Sequence, residues 1–402
     1  MFKKSLFSFL TLIIISIFQG NAQDKFLKEW TEKGFIESEN YYSELPFRYI
    51  DGYIFIDIIQ NGNHYNFLFD TGAETTIIDK SILNQFSFEP FAESNITGPI
   101  IKNQDVKTII LSNIQLAGVM FSEIGAVSID MEFSKERFCK DLHGIIGSNL
   151  MKKSKWQIDY KNQVIKFSND ISKFHLDNPK YILKTRLSSK GFGTETVDIK
   201  INGEVIPFGF DTGNGARKIV ANPSNFKKLI KKSKSVEYGF PKTDKDYHII
   251  PEKLFIGGIE FSNQMVTFEN KVGKSQLLGN KFYENFLVTI DWENHLLYLD
   301  PQGEIKQDEF YGFPLEFRAN YKTNKIEIYT GIREFLKKNK IENGTILAKV
   351  NGVNISNLSD KDFCEFWDIS WNKIKTAKTI NLTIAKDGKE KEIVVSKNKF
   401  VS

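Results

Sequence analysis

Residues 67–72 read Phe-Leu-Phe-Asp-Thr-Gly, and residues 208–213 read Phe-Gly-Phe-Asp-Thr-Gly. The two acids stand 211 − 70 = 141 positions apart. Other landmarks recur around them in the same order. Leu116-Ala-Gly-Val-Met-Phe-Ser122 matches Ile256-Gly-Gly-Ile-Glu-Phe-Ser262, and Ile145-Ile-Gly147 matches Leu277-Leu-Gly279. Each copy closes alike: Trp156-Gln-Ile-Asp-Tyr160 then Val164-Ile-Lys-Phe167, against Val288-Thr-Ile-Asp-Trp292 then Leu296-Leu-Tyr-Leu299. Residue type and order are both kept, so the chain carries an internal duplication.

Within each copy the pattern is β. Tyr53–Ile59, a turn at Gly62, and Tyr65–Phe69 form a hairpin pattern. Val197–Ile201, Asn202-Gly203 and Val205–Phe210 repeat it with a stronger turn signal. Short helices are expected at Lys80–Gln85 and Pro223–Lys231. A polar stretch, Gln302–Asp308, reads as a linker to a third unit of about residues 305–400. That unit holds Ile341–Gly352, a helix over Ser359–Trp367 with Ser359 as N-cap, and a hairpin over Thr379–Ile384 and Glu392–Val395.

Two Asp-Thr-Gly triplets carry the chemistry. At round frequencies of about 7% for Gly and about 5% each for Asp and Thr, one triplet arises by chance in roughly one chain in fifteen of this length. Two of them, each after an apolar strand and each in one copy of a duplication, are far rarer. The bland alternative is a turn after a strand, with Asp bonding its own backbone. Two-fold repetition brings equivalent loops together at the pseudo-axis, so Asp70 and Asp211 are expected to face one another. Two adjacent carboxylates cannot both ionise and share one proton. Two pK units of splitting represent about 2.7 kcal/mol of coupling. The ionised partner then takes a proton from water, and the protonated one donates to a carbonyl oxygen. Gly72 and Gly213 let backbone N–H groups approach the acids. The Thr71 and Thr212 hydroxyls can cross-bond the loops.

On these residues the two halves resemble lobes of the aspartic protease family, in its retropepsin-like branch. Asp70-Thr-Gly-Ala73 is similar to the retroviral form of the motif, and Ile145-Ile-Gly147 and Leu277-Leu-Gly279 resemble the segments that support each catalytic loop. The resemblance covers roughly residues 44–300. It implies an all-β fold of two pseudo-symmetric β-barrel lobes, at 44–172 and 178–301, with a cleft between them. It implies that Asp70 and Asp211 are catalytic and that one chain, a monomer, completes the dyad. Asn214 and Gly215 depart from the commonest pattern, as does Glu74. No Tyr lies between positions 80 and 140, so a flap tyrosine of the pepsin type is absent, and a flap is placed within Asn95–Val106 by the turn at Gly98-Pro99. The third unit is similar to a PDZ domain, a small α+β fold that takes a peptide on a sheet edge. Its carboxylate-binding loop is not recognisable, Tyr311-Gly-Phe313 being a poor substitute. The other reading of the unit is a small α+β domain packed against the lobes.

The remaining features bound the setting. Residues 1–22 have Lys3 and Lys4, an apolar run from Leu6 to Phe18, and small Gly20 and Ala22. They read as a secretory signal peptide, the run being short of the ~20 residues a membrane span needs. The mature chain is then expected in the periplasm or outside the cell, without a stable membrane span. Its charge is +4 − 2 = +2, which gives no ground for nucleic-acid binding. Cys139 and Cys364 are 225 positions apart, in different expected domains, and read as two unrelated thiols. Asp159 and Asp291 read as turn or strand-end acids, and His143 as a loop residue. No histidine pair has metal-ligand spacing, so no metal or other cofactor is expected. Lys227–Lys234 reads as a solvated helix face. Together these readings make the chain an exported aspartic endopeptidase acting on peptide or protein substrates. The alternative is a catalytically inactive, peptide-binding adaptor on the same lobes and PDZ-like unit.

Overall fold

Apolar residues alternating along short segments, broken by Gly and Asn turns, give a chain built mostly of strands. The computed structural model describes residues 28–96, 104–139, 141–174, 176, 179–188, 194–215, 217–243, 245–270, 276–305 and 307–400. The expected signal peptide and the Gly98-Pro99 turn lie outside these residues. The strands that flank the turn, Phe88–Ile96 and Gln104–Leu116, pair antiparallel up to Ile96 opposite Gln104.

A 14-stranded sheet runs from the first half into the second, and a 10-stranded sheet lies in the second half. Neither path closes on itself among the described residues. The closed barrels expected of each half are therefore replaced by open sheets. The strands that join the halves are the closing strands of each copy. Lys155–Asp159 pairs antiparallel with Phe286–Asp291, Trp156 opposite Ile290, Gln157 opposite Thr289, and Ile158 opposite Val288. Gln157 and Thr289 are also equivalent in the duplication, since 289 − 157 = 132 is the offset of the closing segments. The pseudo-two-fold axis thus passes through this pair, where Gln157 Nε2 donates to Thr289 Oγ1 at 2.9 Å. Outward on each side come Val164–Ser168 and Tyr42–Ile50, matched by Leu296–Pro301 and Tyr181–Lys184. One buried apolar cluster runs through both halves, from Tyr41 to Leu299.

Upstream of these strands, Trp30 is 1% exposed. Its indole N–H donates to Ile109 O at 2.9 Å, and Phe35–Ile36 pairs with Phe121 and Ser122. Residues 28–36 are thereby part of the first half's packing.

The expected Lys80–Gln85 helix is only a 3-10 turn, Leu83–Gln85, while Pro223–Phe226 and Lys227–Lys232 form the second helix as a 3-10 start and an α turn. The third unit has its own six-stranded sheet and its own apolar cluster, which Phe240 of the second half joins. Ser359 caps the helix Asp360–Glu365 by accepting from Asp362 N. The two cysteines are not independent: Cys139 and Cys364 form a disulfide with Cα atoms 5.6 Å apart. The third unit packs on the first half, which closes a sequence distance of 225 residues to a span that a disulfide bridges.

Candidate active site

Each acid ends a strand held by a parallel neighbour. Phe67, Leu68 and Phe69 pair with Gly144, Ile145 and Ile146, and Asp70 N donates to Ile146 O at 3.0 Å. In the second copy Gly209, Phe210 and Asp211 pair with Leu277, Leu278 and Gly279. The apolar-apolar-Gly segments are therefore the strands that carry the acid loops.

The loops meet through their threonines. Thr71 N donates to Thr212 Oγ1 at 2.9 Å, and Thr212 N to Thr71 Oγ1 at 3.0 Å. Thr71 Oγ1 donates across to Phe210 O, and Thr212 Oγ1 to Phe69 O, both at 2.8 Å. All four bonds are buried and cross between the halves. A hydroxyl both donates and accepts, and each threonine uses both capacities here.

This cross-link brings Asp70 and Asp211 together. Asp70 Oδ1 accepts from Gly72 N at 2.8 Å and Ala73 N at 3.1 Å, and Asp211 Oδ1 accepts from Gly213 N at 2.9 Å. A methyl group built on Gly213 would lie 2.2 Å from Asp70 Oδ2, so only glycine fits between the acids. Asp70 Oδ2 accepts no well-formed N–H or O–H bond among the described residues. Its neighbours there are the Asp211 carboxyl and the Gly213 N–H. Burial pushes the Asp70 carboxyl above the ordinary Asp value, against the downward pull of the Gly72 N–H, the Asp211 carboxyl and the Ala73 and Gly213 N–H groups. Both acids are 0% exposed.

The sequence reading missed the residues that follow each support segment. Ser148 Oγ donates to Ala73 O at 3.0 Å. At the equivalent place, Asn280 Nδ2 donates to Thr212 O at 2.5 Å and Gly52 O at 2.8 Å, and its Oδ1 accepts from Tyr160 OH at 2.6 Å. The signal was available as a polar residue directly after Gly147 and Gly279 in both copies. Gly215, which departs from the common pattern, abuts Gly52: a Cβ on Gly52 would sit 2.0 Å from Gly215 O. Gly52 also has φ +86°, so the turn between the strands Tyr42–Ile50 and Tyr53–Gln60 requires glycine twice over. Glu74 is buried, and its charge acts on Lys152.

Other candidates fall outside the site. Asp159 accepts from Asn162 N and Nδ2 and from Gln302, and Asp291 from Asn294 N and Nδ2. Both cap turns at strand ends. His143 Nδ1 accepts from Asn66 N, in the loop before the first support strand.

No family model matches the chain, and no curated protein matches it. Among solved structures it is similar to the crystal structure of basic 7S globulin from soybean, at 10% identity and a TM-score of 0.40, over 66% of this chain and 98% of that one. At that score the likeness assigns no activity.

Proposed function

We propose that the chain is an exported aspartic endopeptidase of the retropepsin-like kind, hydrolysing peptide bonds with water activated between Asp70 and Asp211. The observation that carries this reading is the crossed Thr71–Thr212 bonding, which holds two buried acids against each other on equivalent loops of a duplication. A singly protonated pair offers a base for water and an acid for the carbonyl oxygen in one place. Each acid is fixed by backbone N–H groups of its own turn, so the pair is aligned before substrate arrives. The two halves are the protease lobes in this reading, and the third unit is PDZ-like: a strand pair, a helix and a closing hairpin around a separate core.

A second reading, an inactive peptide-binding adaptor, draws on one observation: both acids are 0% exposed. One assay separates the two. Purified mature protein is incubated with an unfolded polypeptide across acidic to neutral pH, with and without a hydroxyl inhibitor that mimics the tetrahedral transition state. Cleavage is expected. The inhibitor and either Asp70→Asn or Asp211→Asn should lower it by at least about a hundredfold. Equal cleavage by both variants would reject the dyad, and no cleavage by the native chain would favour the adaptor.

A further inference from the structure

A cavity of about 410 Å³ lies where the third unit meets the two halves. Tyr53 and Arg217 line it from the halves, and Trp367, Trp371 and Lys375 from the third unit. It borders the second acid loop. A Cβ on Gly215 would stand 2.9 Å from the Tyr53 ring, and the Tyr53 hydroxyl feels the charges of Asp211 and Asp70.

Most polar groups around the cavity are already matched. Arg217 bonds Glu269 and Glu316, Arg318 bonds Glu327, and Asp51 accepts from Trp367 Nε1 at 2.9 Å. Two donors are not. Trp371 is 0% exposed, yet its indole N–H has no acceptor among the described residues. A buried donor without a partner is unfavourable until an acceptor reaches it. Lys375 stands one helical turn on, its N–H bonded to Trp371 O at 2.9 Å, so both side chains share one face. Its ammonium lies over the Trp367 ring, with no carboxylate in ion-pair reach among the described residues; burial lowers its pKa, against the Asp51 charge and with that of Lys281.

The geometry points to this cavity as a specificity subsite of the cleft, taking an acidic side chain of the polypeptide substrate. The indole faces of Trp367 and Trp371 cover the stem of that side chain. Its carboxylate satisfies the Trp371 N–H and the Lys375 ammonium. The third unit is then a wall of the substrate site and not an independent binder of chain ends. This inference rests on the endopeptidase reading, and the test separates the two.

Full-length Asp70→Asn protein is titrated with decapeptides blocked at both ends that differ only in one Glu or Gln, followed by tryptophan fluorescence. The Glu peptide is expected to bind about tenfold more tightly, the gain of one charge-assisted bond. Lys375→Glu, a rim substitution, should reverse the preference toward a Lys-bearing peptide. Trp371→Phe should weaken both peptides while the Lys375-dependent preference remains. In the native chain, cleavage sites in an unfolded polypeptide should sit at a fixed spacing from Asp or Glu. Preference in binding with no cleavage by the native chain would uphold the subsite and sink the endopeptidase reading. Cleavage or binding indifferent to Glu, or unaltered by Lys375→Glu, would overturn the subsite alone. So would tight binding that demands a free α-carboxylate.

Discussion

The two acid loops start as near copies and are held in place by different means. Both have Asp-Thr-Gly after an apolar strand, and both lean on a parallel support strand. Beyond the triplet they diverge. The first loop is tied within its own half, where Ser148 bonds the Ala73 carbonyl through both N and Oγ. The second is tied across the halves: Asn280 reaches Thr212 O beside it and Gly52 O opposite, while Tyr160 donates to it from the first half. The duplication has kept the triplets and their crossed threonine bonds symmetric and distributed the fastening unequally. Both loops keep one backbone tie within their own half, Ser148 N to Ala73 O and Asn280 N to Asn214 O, and the second adds the Asn280 side chain, which reaches the first half.

The sharpest way to break this comparison is to disturb the point where the loops touch. Gly213→Ala places a methyl group 2.2 Å from Asp70 Oδ2 and 2.3 Å from its Cγ. Displacing the acid by an ångström should reduce kcat/KM on an unfolded polypeptide by about a hundredfold or more. Gly209→Ala, four residues earlier on the strand that leads into the loop, meets its nearest neighbour only at 3.6 Å and should retain activity. Native kcat/KM in Gly213→Ala would mean that the acids do not need their present spacing.

The unequal fastening itself is tested by Asn280→Ala against Ser148→Ala. Removing the Asn280 amide leaves Gly52 O, Thr212 O and the Tyr160 hydroxyl without it, all in a buried setting. The expected cost is about 3 kcal/mol by denaturant unfolding, against about 1 kcal/mol for the single Ser148 hydroxyl bond. Equal losses would remove the asymmetry.

The parts legible in the sequence were those whose signal is local. Asp70, Asp211 and their threonines are short motifs repeated after apolar strands, and the strands and hairpins follow from alternation and turn residues. Gly215 looked like a departure because its reason is a contact with Gly52, 163 positions away in the chain (215 − 52). The disulfide was missed for a similar cause. Nothing near Cys139 or Cys364 marks a partner, and only the docking of the third unit brings them together. Sheet closure was also beyond reach, since alternation fixes which face of a strand is buried and says nothing of whether the last strand meets the first.

The third unit sharpens the comparison, because it grips the halves differently. On the first half the grip is covalent as well as polar, through Cys139–Cys364 and the Trp367 Nε1 bond to Asp51. On the second it is polar: Arg217 to Glu316, and Arg333 to the Phe240, Pro241 and Thr243 carbonyls. His248 lies buried beside this polar face, stacked on Tyr238 with ring centroids 4.1 Å apart. Burial, with the Arg217 charge and against that of Glu316, lowers its pKa to about 4. The folded state then binds fewer protons than the unfolded one between about 4 and the ordinary 6.5. Its stabilising contribution is complete above that window and is lost as pH falls through it, by roughly 3 kcal/mol. His248→Gln should flatten that part of the stability–pH curve. An unchanged curve would show that His248 titrates normally in the folded chain.

The smallest effect expected is one of sign, and it separates the dyad acid from an ordinary buried acid of the same half. Asp70 has its pKa raised in the fold, chiefly by burial. The folded chain therefore holds a proton that the unfolded chain releases, and Asp70 lowers stability progressively as pH rises above the ordinary Asp value. Asn has nearly the same shape and no charge to desolvate. Asp70→Asn should accordingly unfold at a higher temperature than the native chain at neutral pH, the gap closing once acid protonates both states. Asp159 has the opposite sign. Burial raises it, but the bonds from Gln302 and Asn162 prevail and hold it below the usual value. Its contribution is present at neutral pH and is lost as pH falls through the depressed folded value, so Asp159→Asn should unfold earlier at neutral pH. Thermal midpoints of the three proteins at neutral and strongly acidic pH decide the matter. An Asp70→Asn midpoint below that of the native chain at neutral pH would mean that Asp70 is held as a stabilised anion, which makes Asp70 the base of the pair and leaves the shared proton to Asp211.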